Sequence, residues 1–118
     1  MNDRGAWAED LAAGHLQAQG LELLTRNYRR KYGELDLVMR DGDVLVYVEV
    51  RYRASNRFGG SLASITAQKQ RRLINAAQSY TSGRRSLRSR PARFDVVAIT
   101  GPPSAPALRW IRNAFSAG

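Results

Sequence analysis

The sequence predicts one α/β domain, a mixed β-sheet with helices packed on its faces. Three observations carry this. Apolar residues make up 43% of the 118-residue chain, enough for one modest core and too many for a disordered chain. Two runs, GELDLVMR (33–40) and DVLVYVEVRYR (43–53), read as strands joined around Asp41-Gly42, a dipeptide suited to a type I′ hairpin turn. A helical stretch then separates the second run from FDVVAIT (94–100), the pattern of a right-handed crossover between parallel strands.

The elements follow in order. Asp3 is suited to cap a first helix and Gly20 to end it, with Trp7, Ala8, Leu11, Ala12 and Leu16 at helical spacing between them. LELLTRNYRR (21–30) reads as a strand of imperfect alternation. The hairpin comes next, then a loop, ASNRFGG (54–60). A second helix starts at Ser64 or Thr66 and runs to Tyr80, with Leu73, Ile74, Ala77 and Tyr80 along one side. SGRRSLRSRPAR (82–93) is a basic, turn-rich loop within the same domain. After the strand 94–100, LRWIRNAF (108–115) is a weaker strand or short helix. The order is α-β-β-β-α-β with one further element, and no linker divides the domain, residues 1–118.

Composition narrows the function classes. The chain has no cysteine, so disulfide frameworks and thiolate metal sites are excluded. The stretch MNDRGAWAEDLAAGHLQAQG is charged and lacks an apolar centre, and no run approaches the roughly 20 apolar residues of a membrane span. A cytoplasmic protein without membrane partners is the expectation. Nineteen Lys and Arg against ten Asp and Glu leave a formal charge of +9, which favours a polyanionic partner, nucleic acid first. Among the basic residues only Lys31 and Lys69 are lysine. The arginine excess reads either as phosphate contact or as a compositional bias.

The hairpin raises the sharper question, because Glu34, Asp36 and Glu49 interrupt strands that are otherwise core material. Ionised groups are costly to bury without compensation. A two-residue turn at Asp41-Gly42 opposes Glu34 to Glu49 and Asp36 to Tyr47. Glu34, Asp36, Tyr47, Glu49 and Arg51 then share one face, and Asp36 and Glu49 are diagonal neighbours about 7–8 Å apart at the backbone. Such a cluster needs positive charge. Either arginines neutralise it in an ion-pair network, or it holds Mg²⁺ or Mn²⁺, hard ions that take oxygen ligands. Beside a basic surface, the second reading makes the substrate a phosphodiester and the chemistry metal-assisted hydrolysis.

Asp36, a hairpin and then Glu49-Val50-Arg51 resemble the D…(D/E)-x-K signature of restriction-endonuclease-like nucleases. GAWAEDLAA, RNYRRKYGELDLV, LVYVEVRYR, FGGSLASITAQKQRRLINAA and RFDVVAI look more closely like the bacterial YraN family of uncharacterised proteins, similar in fold to archaeal Holliday-junction resolvases. The likeness covers residues 5 to 115. It implies a restriction-endonuclease-like fold, DNA (including branched or structured DNA) as substrate, and a homodimer. Carried over by position, it makes Asp36 and Glu49 the metal-binding carboxylates, the Val50 carbonyl a backbone ligand, and Glu9 an acid that completes the site. Read without the likeness, Glu9 is an exposed helix charge. Glu34 either supports the ligands from behind or pairs with a neighbouring arginine.

The departure from the signature is Arg51. Arginine keeps the charge of the signature lysine but stays protonated and cannot serve as a base. Lys69, at the start of the following helix, can supply an ammonium in its place, or is an ordinary solvated lysine. The catalytic set is therefore Asp36, Glu49, Arg51 and Lys69. The alternatives are a non-catalytic nucleic-acid-binding module and a basic accessory protein with an acidic partner. For nucleic-acid contact the candidates are Arg57, Phe58, Arg71, Arg72, Arg84, Arg85 and Arg88, with Arg90 beside them. Phe58 either stacks on a base or packs its loop down, and the arginines either follow phosphates or are solvated. His15 reads as helix packing or exposure. Asp95 either orients a site arginine or pairs at a strand end.

Overall fold

The structure, a computed structural model, describes residues 3–55 and 62–117. Its elements are α1 (Asp3–Ala18), β1 (Glu22–Arg30), β2 (Gly33–Asp41), β3 (Val44–Arg53), α2 (Ala67–Ser82), a 3₁₀ turn (Arg85–Leu87), β4 (Ala92–Thr100) and β5 (Ala107–Phe115). The five strands form one mixed sheet in the order β1-β2-β3-β4-β5. Only β3 and β4 run parallel, joined across α2. A five-stranded mixed sheet with two flanking helices is the arrangement of a restriction-endonuclease-like fold.

The two faces have separate cores. Ala8, Ala12 and Leu16 of α1 lie against Leu37, Met39, Val46, Val48, Val97 and Ile99, and the alanines let the helix approach the sheet closely. Gly20 ends α1 with a positive φ of 99°. There the Leu21 N–H reaches the Leu16 carbonyl at 3.1 Å and the Gly20 N–H the Gln17 carbonyl at 3.0 Å, which is a Schellman cap. On the other face Leu73, Ala76, Ala77 and Tyr80 of α2 cover Tyr28, Leu35, Val38, Leu45, Tyr47 and Phe94.

Several expectations are corrected. The helix of 3–18 includes Asp3 rather than being capped by it. α2 begins after Thr66, whose Oγ1 accepts the Lys69 N–H at 3.2 Å, and continues past Tyr80 to Ser82. β4 starts at Ala92, so the basic loop loses its last residues to the sheet, because the Leu45 N–H bonds the Pro91 carbonyl and starts the parallel ladder there. Of the strand and the short helix left open for 108–115, the strand is what forms, as edge strand β5 over Ala107–Phe115.

The hairpin register also moves. Asp41 faces Val44 and Arg40 faces Leu45, so the loop is Gly42-Asp43, one residue later than expected. Gly42 has φ +60° and Asp43 is not left-handed, the pattern of a type II′ turn with glycine first. Shifting the loop by one residue shifts each pairing by two, and a shift of two keeps every side chain on its face.

Candidate metal and nucleic-acid site

The corrected register brings the acids closer than the sequence predicts. The β2–β3 ladder ends at Leu37–Val48, so Asp36 and Glu49 come next and meet directly as the strands part. Their carboxyl groups hydrogen-bond each other, and Asp36 Oδ2 accepts the Val50 N–H at 2.8 Å. Burial, then the contact with Glu49 and its charge, raise the Asp36 carboxyl from 3.8 to about 8, against the opposing pull of the Val50 N–H and Lys69. Near neutral pH Asp36 therefore holds a proton that it shares with Glu49.

Lys69 provides the fixed cation. Its Nζ lies 3.2 Å from Glu49 Oε2, with the glutamate side chain 8% exposed. The reason is the close approach of α2 to β2. At Gly33 a Cβ would lie 2.1 Å from the Arg72 carbonyl, so only glycine lets the helix sit this low, and Lys69 comes one turn before Arg72. The answer to the buried acids is thus a lysine and a proton, not an arginine network.

Arg51 is turned elsewhere: its Nη1 donates to the Ser64 carbonyl at 3.0 Å. Glu34 faces Arg29 at 3.6 Å. Together with Asp36, Glu49, Val50, Thr66 and Lys69, these two residues line a cleft of about 570 Å³.

Glu9 approaches from α1 and does not join the pair. It sits 3.6 Å from Arg26 and takes a hydrogen bond from the Asn27 side chain. Burial and the nearby charge of Asp36 raise its pKa, and Asn27 and Arg26 oppose the rise. Among the described residues no three His, Asp or Glu side chains gather closely enough to hold a metal. Asn27 was missed in the sequence. It has φ +54° in the middle of β1, between Arg26, paired with Leu37, and Tyr28, paired with Leu35. The broken alternation of RNYRR was its signal, since asparagine is the non-glycine residue most tolerant of this conformation.

The remaining candidates separate. Arg71 and Arg72 are exposed on α2. Arg84 stacks on Tyr80 at 3.8 Å and donates to its carbonyl, and Arg88 donates to the Ser82 carbonyl at 2.7 Å. Arg85 is exposed in the 3₁₀ turn, and Arg90 lies 3.5 Å from Asp43. Arg57 and Phe58 lie outside the described residues. His15 packs edge-on against Trp110. Asp95 pairs within the sheet, accepting from Arg93 Nε at 3.1 Å, Trp110 Nε1 at 2.9 Å and the Asn113 N–H at 2.9 Å. Among the described residues no helix is long and apolar enough to cross a membrane.

Residues 8–99 match the family described as uncharacterised protein family UPF0102, a span that includes Glu9, Asp36, Glu49, Arg51 and Lys69. A UPF0102 protein of Stutzerimonas stutzeri is 53% identical over 111 residues, covering 94% of this chain and 92% of the relative. One from Nitrosococcus oceani is 50% identical over 113 residues, 96% of this chain and 91% of its own length. Another, from Xanthomonas oryzae pv. oryzae, is 50% identical over 114 residues, 97% and 92% of the two chains. With the fold, the paired carboxylates and these matches together, the chain belongs to the uncharacterised protein family UPF0102, the YraN family.

Proposed function

We propose that this protein is a nuclease-like, metal-dependent nucleic-acid-processing protein that hydrolyses phosphodiesters in DNA, branched or structured DNA included. One juxtaposition carries the reading: Asp36 and Glu49 in contact beside a cleft, with Lys69 Nζ 3.2 Å from Glu49. The donors suit Mg²⁺ or Mn²⁺, which are held by one or two carboxylates, waters and substrate phosphate. Two carboxyls that share a proton near neutral pH can exchange it for such an ion. Asp36 and Glu49 would hold the metal, with Val50 beside them. When bound, the ion supplies phosphate charge neutralisation and a more acidic water. Lys69 contributes a compact ammonium beside the acids, suited to charge developing on phosphate. Arg71 and Arg72, on the exposed side of the same helix, supply phosphate contacts that position the strand.

A second reading, a binding module without cleavage, draws support from Arg51, since the cation at the signature position is engaged by the Ser64 carbonyl. Cleavage assays with Mg²⁺ and Mn²⁺ on duplex, single-stranded and junction DNA separate the two. Divalent-dependent cutting is expected, and Asp36→Asn or Glu49→Gln abolishes both it and most metal binding measured by calorimetry. Arg51→Lys preserves or raises cutting. Lys69→Ala lowers it and leaves DNA affinity within several-fold. A folded, metal-binding Arg51→Lys protein that cuts none of these substrates leaves only the binding module.

A further inference from the structure

The nuclease-like cleft does not account for the turn between β1 and β2. Arg30 pairs with Gly33, so Lys31 and Tyr32 alone form the hairpin tip. Tyr32 is 67% exposed, the one large hydrophobic side chain in that state among the described residues. Tyr28 and Tyr47, within β1 and β3, are by contrast buried in the core under α2. Next to Tyr32, a Cβ at Gly33 would run into the Arg72 carbonyl and Ala76, so the backbone here lies close against α2. That contact holds the tip in place.

Beside the ring lies a second cleft, of about 340 Å³, lined by Arg30, Tyr32, Gly33, Asn75, Ala76, Gln78 and Ser79. Asn75 and Gln78 are exposed, and their amides offer donors and acceptors together. Arg30 lines it, its guanidinium over the Tyr28 ring; Lys31 Nζ lies over one face of the Tyr32 ring, 5.3 Å from its centre; Arg71 and Arg72 are exposed on the same helix. An exposed aromatic face, amide groups at its edge and cations around it match the parts of a nucleotide: a flat base, its hydrogen-bonding edge and its phosphates. Asn75 comes six positions after Lys69 in α2, about 9 Å along the helix axis. The second cleft is therefore within a few nucleotides of the Asp36–Glu49 pair.

We propose that the β1–β2 tip and the outer side of α2 form a receptor for an unpaired nucleobase, with Tyr32 as the stacking platform and Asn75 and Gln78 reading the edge of the base. This rests on the nucleic-acid reading above and gives it a substrate class: DNA carrying an unstacked base. Paired bases present no free face to the tyrosine, so Tyr32 acts as a specificity determinant and not as a catalytic residue.

The test uses the full chain in EDTA, where cleavage does not interfere. One DNA duplex carries a single unpaired 2-aminopurine, and the other carries the same base fully paired. The parent is expected to bind the unpaired form more tightly and to quench its fluorescence. Tyr32→Ala should remove the quench and weaken that binding about 10-fold, leaving the paired duplex within about two-fold; Tyr32→Phe should restore both. Equal losses on both duplexes, or no loss on either, overturn the proposal. Failure to bind either DNA overturns it together with the nucleic-acid reading. A Tyr32-dependent quench in a protein that cuts nothing with Mg²⁺ or Mn²⁺ keeps the receptor and removes only the nuclease activity. Metal-dependent cutting without that quench does the reverse.

Discussion

Among the described residues Asp95 and Glu49 are the two buried charged ones, at 1% and 7% exposure, and their surroundings differ in kind. Asp95 is surrounded by donors: Arg93, Trp110 and the Asn113 backbone occupy both of its oxygens. Arg93 is tied in turn to Asp41. Arg93 and Asn113 border a separate cleft of about 430 Å³, but Asp95 itself does not line it. Glu49 instead has one cation, Lys69, and a second carboxyl, Asp36, with which it shares a proton. That pair lines open space. A carboxylate whose acceptors are all filled from within the fold is a structural joint, here between β4 and β5. A carboxyl pair that holds a proton beside a cleft is poised to trade that proton for something else.

If this contrast is right, the largest effect belongs to Asp95. Asp95→Ala leaves the Trp110 N–H, the Asn113 N–H and part of the Arg93 guanidinium without an acceptor. Urea unfolding should show a loss of about 3 kcal/mol or more. A loss under about 1 kcal/mol would remove the distinction between the two sites.

Asp36 should behave in the opposite sense. Its carboxyl is raised from 3.8 to about 8 in the folded protein, so the native state keeps a proton that the unfolded chain releases near pH 4. More protons are bound by the native state between those values, hence this group's contribution to stability falls as pH rises from about 4 to about 8 and is level beyond. Asp36→Asn keeps an acceptor for the Val50 N–H and can donate to Glu49. It should be more stable than the parent at pH 7, by about 1–3 kcal/mol, with the difference vanishing near pH 4. Thermal melts across that range decide it; a variant less stable at pH 7 would mean that the pair is a joint like Asp95.

The smallest effect is expected at Lys69. Its side chain is 32% exposed, so solvent screens part of its attraction to Glu49. Lys69→Ala should cost about 1 kcal/mol in the absence of metal, and added Mn²⁺ should narrow the gap by replacing the lost positive charge. A cost that Mn²⁺ leaves unchanged would assign Lys69 to helix packing alone.

How much of this was legible in the sequence depends on the range of the interaction. The period of two in GELDLVMR and DVLVYVEVRYR, with a two-residue loop between them, places Asp36 and Glu49 on one face whichever pair of residues makes the turn. The crossover from β3 through α2 to β4 follows from hydrophobic pattern and chain connectivity. These are local properties, carried by neighbouring residues. Which acid meets which is not local. It depended on the left-handed Gly42, which moved the loop by one residue and set Asp36 directly against Glu49. The neutralising cation was decided by the packing of α2 on Gly33, which brought Lys69 to Glu49 while Arg51 turned to Ser64. Glu9 was held on Arg26 and Asn27 by a backbone twist that only the folded β1 contains. Charge pairing acts over a few ångströms in space between residues far apart in the chain, so tertiary packing chose the partners after the sequence had supplied the groups.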